Sequence, residues 1–190
     1  MKTVQQTGAW VFVCGPSGSG KDSVMAYAQQ ALATRADIVF TRRFVTRPVH
    51  TGSDHDALTP AAFAALVQAG GLSWHWQAHG FCYGIDAKYR DAVAAGRLVV
   101  VNGSREHVKG LQASREVQMV HITADPEALV QRLLKRGRDN AAAMARRLER
   151  NADFDAMPAD CVIVNNGELA DAGQQLASYL AEANSAQLAR

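Results

Sequence analysis

Long apolar runs are missing from this 190-residue sequence. No stretch approaches the roughly 20 consecutive apolar residues that cross a bilayer, so the pattern excludes a transmembrane helix. Cysteine is scarce: Cys14, Cys82 and Cys161 are odd in number, widely spaced and without a Cys-x-x-Cys pair. That spacing argues against a disulfide framework or a zinc site and favours a reducing compartment. The six histidines are scattered, and no metal site is expected from them. Residues 1–8 are polar, with no apolar stretch of signal-peptide type, so the cytoplasm is the expected setting. An excess of either charge is also lacking. The net charge of +2 is too small to point to nucleic acid.

What is present is an ordinary globular composition, 48% hydrophobic and 20% charged, in a chain long enough for one α/β domain. The basic residues are unevenly spread. Seven of the 20 lie between Arg132 and Arg150, opposed only by Asp139 and Glu149, and Arg35, Arg42, Arg43 and Arg47 form a second group. A solvated helix face is the plain reading of such a run, and Arg146 and Arg150 are left to it.

Hydrophobic periodicity lays out the elements. Residues 10–14 read as a buried strand running into a glycine loop and then a helix over 21–32. Residues 37–45 read as one extended segment, ended by Pro48. Residues 51–56 read as loop. Thr59 and Pro60 look like an N-cap and first helical residue of a helix to 69. Residues 72–83 suggest a hairpin around Gly80, and 86–95 a helix closed by Gly96. Strands are expected at 98–101, 117–122 and 161–164, with helices at 126–136, 140–151 and 169–183. Apolar strands separated by helices imply a three-layer α/β/α fold with a parallel central sheet. The expected parts are a core of 9–53 and 86–190 and an acceptor-binding insertion at 54–85 that forms a lid.

The strongest motif is Gly15, Pro16, Ser17, Gly18, Ser19, Gly20, Lys21, Asp22 and Ser23, which fits Gly-x-x-x-x-Gly-Lys. Glycines let successive backbone N–H groups turn inward as an anion nest, and the helix that follows points its positive end at phosphate. Lys21 then reaches the terminal phosphates of a nucleotide. The pattern expects Ser or Thr after the lysine to hold Mg²⁺, and Asp22 stands there instead. A carboxylate is a hard oxygen ligand that could hold Mg²⁺ directly or through water, the alternative being a negative charge that weakens ATP binding; metal contact is the favoured reading of Asp22.

Other segments resemble the guanylate kinase family over nearly the whole chain. Thr46-Arg47-Pro48 with Gly52 resembles its acceptor-phosphate segment, and residues 79–84 (His-Gly-Phe-Cys-Tyr-Gly) its His-Gly-x-Tyr-Tyr-Gly turn. Arg132-Leu133, Arg136-Gly137 and Arg147-Leu148 resemble its arginine-bearing lid, placed at 136–150, and Val162-Ile163-Val164-Asn165 its closing strand. The groups with which that family reads guanine are absent. Trp74, Asn102 and Ile85 or Asp86 stand roughly at those places, and a base with buried unpaired donors loses about 1–3 kcal/mol for each. The loop with its unusual Asp22 is similar to that of the ribose 1,5-bisphosphate phosphokinase family. So are Val101-Asn102-Gly103-Ser104-Arg105, Arg136-Gly137-Arg138-Asp139-Asn140 and the Trp76 to Gly84 stretch.

This second resemblance implies a soluble, P-loop, guanylate kinase-like enzyme. It would use ATP and Mg²⁺ to convert ribose 1,5-bisphosphate into 5-phosphoribosyl 1-diphosphate in bacterial phosphonate use. The implied partner is a small phosphorylated sugar, not nucleic acid or membrane, and oligomeric state is left open. Lys21, Arg136, Arg138 and Arg147 are expected to neutralise the reacting phosphates. Arg43, Arg47 and Tyr83 are expected to grip the acceptor, and Asn102 and Arg105 its sugar or second phosphate. Trp74 and Trp76 read as packing, and Asn165 is placed near adenine by the resemblance only. The rival readings are a nucleoside monophosphate kinase and a non-catalytic interaction module; the intact loop and lysine argue against the module.

Overall fold

Strand β1 (Ala9–Cys14) is buried along all of its length and feeds two cores at once. Because side chains alternate along a strand, Ala9, Val11 and Val13 enter one core with Val24 and Ala28, while Trp10, Phe12 and Cys14 enter a second with Val99, Val101 and Ile85. A strand covered on both faces has no polar side to show, which is why its sequence is a continuous apolar run. Burying each such side chain stabilises by about 1.5–3 kcal/mol.

The computed structural model describes residues 8–16, 18–49, 54–104, 107–108, 110–111, 116–136 and 158–188. Around β1 lies a five-stranded, all-parallel sheet in the order β2-β7-β1-β8-β9. Its other strands are β2 (Ile38–Phe40), β7 (Leu98–Asn102), β8 (Val117–Thr123) and β9 (Cys161–Val164). Helix α1 (Lys21–Ala31) and the last helix, α5 (Leu169–Leu188), cover one face, where Val24, Met25 and Ala28 meet Ala172, Leu176 and Leu180. Helix α3 (Lys88–Ala94) places Tyr89 and Val93 in the second core, and α4 (Pro126–Arg136) follows β8.

A second sheet of four strands, ordered β4-β3-β6-β5, stands against that second core. It is made of β3 (Arg43–Val45), β4 (His55–Ala57), β5 (Leu72–Ala78) and β6 (Phe81–Asp86). β5 and β6 form the expected hairpin, with Ala78 opposite Phe81. The two residues between them, His79 and Gly80, have φ of 52° and 78°, as a tight turn with right-handed strand twist requires. Helix α2 (Pro60–Gln68) starts as expected, with Thr59 Oγ1 accepting from Ala62 N at 3.2 Å.

Four expectations are corrected. The segment 37–45 is two strands in different sheets: Thr41 N donates to Val100 O (2.9 Å), and beyond it the chain crosses over to pair with β4 and β6. Apolar periodicity does not say which sheet a strand joins. Residues 55 and 56, expected as the end of a loop over 51–56, belong to β4, where His55 is fully buried despite its polarity. The helix expected from 86 begins at Lys88; Asp86 still belongs to β6 and its Oδ1 accepts from Lys88 N at 2.9 Å. The last helix runs on to Leu188. The helix expected at 140–151 lies outside the described residues. Among the described residues no helix is long and apolar enough to cross a membrane.

Candidate active site

The parallel sheet places the site. β1 and β7 are neighbours in register, Val13 opposite Asn102, so the loop after β1 and the end of β7 open at the same carboxyl edge. After Cys14 the chain turns, Ser19 N donating to Pro16 O at 3.2 Å, and enters α1 through Gly20. Gly18 and Gly20 have φ of 94° and 80°, the left-handed region where a Cβ is costly. A Cβ on Gly20 would also lie 2.5 Å from Asn165 Nδ2. That asparagine is buried and donates to Ser19 O at 2.7 Å, tying the loop to the end of β9.

This loop fits a polyphosphate. Helix α1 has no side chain capping its N-terminus, so its first N–H groups are left for an anion. Ser19 Oγ is buried within the loop without a partner among the described residues, an orphan donor of the kind a phosphate oxygen satisfies.

Lys21 leads from the loop into a network that reaches the second sheet. Its Nζ pairs with Asp22 Oδ1 at 3.0 Å and donates to Asn102 Oδ1. Asn102 is 4% exposed, and its Nδ2 donates to Asp22 Oδ1 and to Asp54 Oδ2, both at 2.8 Å. The amide orientation follows from its partners: carboxylates only accept, and the ammonium only donates. Asp54 in turn receives Arg43 Nη2 on both oxygens, at 2.9 and 2.8 Å, and Arg43 Nη1 donates to Asn102 O at 3.1 Å.

The charges shift one another. Lys21 beside it, helped by hydrogen bonds from Asn102 and Lys21, overcomes burial and holds the Asp22 carboxyl down at about 2. Burial, the largest influence, and the nearby Asp22 work against ionising Asp54, yet the charge and hydrogen bonds of Arg43 together with Lys21 keep that carboxyl below the ordinary value. Both stay charged at neutral pH.

Arg43 and Arg47 sit on the same stretch but differ. The Arg43 side chain is 12% exposed, stands 5.9 Å over the Tyr83 ring and gives both Nη nitrogens to protein oxygens. Arg47 stands 5.9 Å over Phe81, and its guanidinium makes no hydrogen bond or ion pair among the described residues. Its main chain is pinned instead. Thr46 pairs with Cys82 through N–H to O (3.0 Å) and accepts from Cys82 N on Oγ1 (2.9 Å), and Arg47 O lies 3.2 Å from His55 Nε2, which donates to it.

Tyr83 is stacked on Trp76 (5.6 Å, 7°), and Trp76 on His107 (4.6 Å, 18°). Trp74 packs edge-on against Trp10, Phe12 and His107 at 5.7, 5.9 and 5.7 Å, so both tryptophans are packing residues. Burial, with His75 adding to it, pushes the His107 imidazole down to about 4.

Of the expected site residues, the structure brings Lys21, Asp22, Asn102, Arg43 and Tyr83 together, with Arg47 on the adjoining strand end. Ser17, Arg105, Arg138 and Arg147 lie outside the described residues, as does the side chain of Arg136, whose backbone closes α4. Asp54 and His55 went unnoticed in a polar stretch read as loop. The signal available was a carboxylate and an imidazole a few residues after Thr46-Arg47-Pro48.

A glycine loop between the central parallel strand and a helix, with a lysine at the helix start bonded into a polar network, defines a P-loop nucleotide-binding protein. Comparison with known proteins agrees: a family model described as an AAA domain matches residues 11–155. The solved guanylate kinase from Anaplasma phagocytophilum is similar in fold, with a TM-score of 0.67 over 96% of this chain and 89% of that one, at 19% identity. A ribose 1,5-bisphosphate phosphokinase PhnN from Pseudofrankia inefficax is 42% identical over 96% of this chain and 95% of its own length. The one from Methylobacterium radiotolerans is 41% identical over 91% and 97%. Another, from Laribacter hongkongensis, is 43% identical over 92% of this chain, which spans 43% of that longer protein. The chain belongs to the ribose 1,5-bisphosphate phosphokinase family.

Proposed function

We propose that this protein transfers the γ-phosphoryl group of ATP to ribose 1,5-bisphosphate, giving 5-phosphoribosyl 1-diphosphate and ADP. The observation that carries the reading is the continuous polar network from the phosphate-loop lysine through Asn102 to Asp54 and Arg43 on the second sheet. Donor and acceptor phosphates meet across it.

In the reaction, an oxygen of the acceptor's 1-phosphate bonds to the γ-phosphorus as the bond to the β,γ-bridging oxygen breaks. That acceptor oxygen is ionised near neutral pH, since a phosphate monoester loses its second proton near about 6. No strong general base is needed; what is needed is positioning and neutralisation of charge. The loop amides and Lys21 hold the donor phosphates. Arg47, whose guanidinium makes no hydrogen bond or ion pair among the described residues, grips an acceptor phosphate, and the lid arginines Arg136, Arg138 and Arg147 cover the pair. Asp22, ionised and with a 72% exposed side chain, is the residue that would hold Mg²⁺. The metal, when bound, withdraws charge from the β and γ oxygens. The setting that goes with this reading is the cytoplasm, in phosphonate use.

A nucleoside monophosphate as acceptor is disfavoured by Trp74, whose indole is packed among Trp10, Phe12 and His107 where a guanine-reading carboxylate would have to reach out. ADP release measured in parallel with ribose 1,5-bisphosphate, GMP and AMP tests the reading. Ribose 1,5-bisphosphate is expected to be the best acceptor; GMP as the best acceptor would overturn it.

A further inference from the structure

Asp54 is set up as a recognition group. Its side chain is 48% exposed, while the arginine that holds it is 12% exposed. Among the described residues Oδ2 accepts from Arg43 and Asn102, and Oδ1 from Arg43 alone. A carboxylate offers about four acceptor positions, so one remains open, on Oδ1. Its direction is fixed by three hydrogen bonds from two other elements, β3 and the end of β7.

The surroundings say which group fills that position. Another anion is repelled. A metal ion gains less here than at Asp22: among the described residues Asp54 has one acceptor position open, whereas Asp22 Oδ2 accepts no hydrogen bond. A flat base finds no open ring beside it, because Tyr83 has Trp76 on one face and the Arg43 guanidinium by its ring. A hydroxyl suits it: small, neutral and a donor.

We propose that Asp54 is a specificity-determining residue that accepts a hydrogen bond from one ring hydroxyl of the acceptor sugar, with Arg43 and Asn102 as the positioning residues that aim it. The proposal rests on the acceptor reading above. It assigns Arg43 to the alignment of Asp54 and leaves the phosphate to Arg47.

The test compares kcat/KM for ribose 1,5-bisphosphate with its 2-deoxy and 3-deoxy analogues, in the wild type, Asp54→Asn and Asp54→Glu. A hydrogen bond to a charged group corresponds to roughly 10–100-fold, so the wild type is expected to disfavour one deoxy analogue by about that factor. Asp54→Asn is expected to bring the ratio to within about threefold. Asp54→Glu keeps the charge but moves the carboxylate by one methylene, and is expected to lower the ratio as well, which covers the case of a poorly folded amide variant. An unchanged ratio in both variants, with ribose 1,5-bisphosphate still turned over, overturns this proposal alone. So does an equal loss on all acceptors that extra Mg²⁺ restores, which marks a metal ligand. So does a lower KM for all acceptors alike, which marks a latch. No turnover of ribose 1,5-bisphosphate by the wild type overturns the acceptor reading and this proposal with it.

Discussion

On one side of Asn102 the chain prepares for phosphate with its backbone. The loop is built from left-handed glycines, an uncapped helix start and a carbonyl held by Asn165, with the Lys21 side chain at the start of the helix. On the other side the second sheet presents side chains: Arg43, Asp54 and Tyr83 are held by neighbours from other elements, and Arg47 is held by its main chain. A backbone site recognises what every nucleotide shares, the phosphates. A side-chain site can change its acceptor by a few substitutions while the sheet stays intact.

The difference can be broken at either end. Lys21→Met removes the ammonium that follows charge onto the leaving phosphates and is expected to lower kcat by about 10²–10³-fold, measured by ADP release at saturating acceptor. Arg47→Ala should act on the other side only, lowering kcat/KM for the acceptor by about 10–100-fold while the KM for ATP stays put; equal changes in both would erase the distinction drawn here. Asp22→Ala should raise the Mg²⁺ concentration needed for half-maximal turnover about tenfold and leave the melting temperature nearly unchanged. Unaltered magnesium dependence would remove Asp22 from the metal.

Gly20→Ala tests the backbone directly. A non-glycine residue in the left-handed region costs about 1–3 kcal/mol, and here its Cβ would press on Asn165, so both denaturant stability and ATP binding should fall. The smallest effect is expected at His107. Its imidazole is held neutral down to about 4, so the unfolded chain binds the extra proton between its ordinary value of 6.5 and 4. Near neutral pH the effect is close to zero; stability rises with pH across that window and is lost as the solution is acidified. His107→Phe should flatten this part of the stability profile, read by urea titration at several pH values.

The donor side was nearly all legible in the sequence, because backbone sites announce themselves by residue type. Glycine, proline and lysine at fixed spacing after a six-residue apolar strand leave little else to be. The acceptor side was legible only in part. Arg43, Arg47, Tyr83 and Asn102 stood out by resemblance, but Asp54 and His55 did not, since a polar run of 51–56 looks the same whether it is loop or strand. What makes His55 a strand residue is complete burial and a bond to Arg47 O, and both depend on where β3 goes. The same long-range pairing split 37–45 into strands of two sheets, which local pattern does not encode.

Phosphorus NMR of the product formed from ATP and ribose 1,5-bisphosphate tests the central claim most directly. The account predicts that the 1-phosphate resonance gives way to two mutually coupled diphosphate signals while the 5-phosphate signal persists, in step with ADP. ADP accumulating while both sugar phosphates remain unchanged would contradict it.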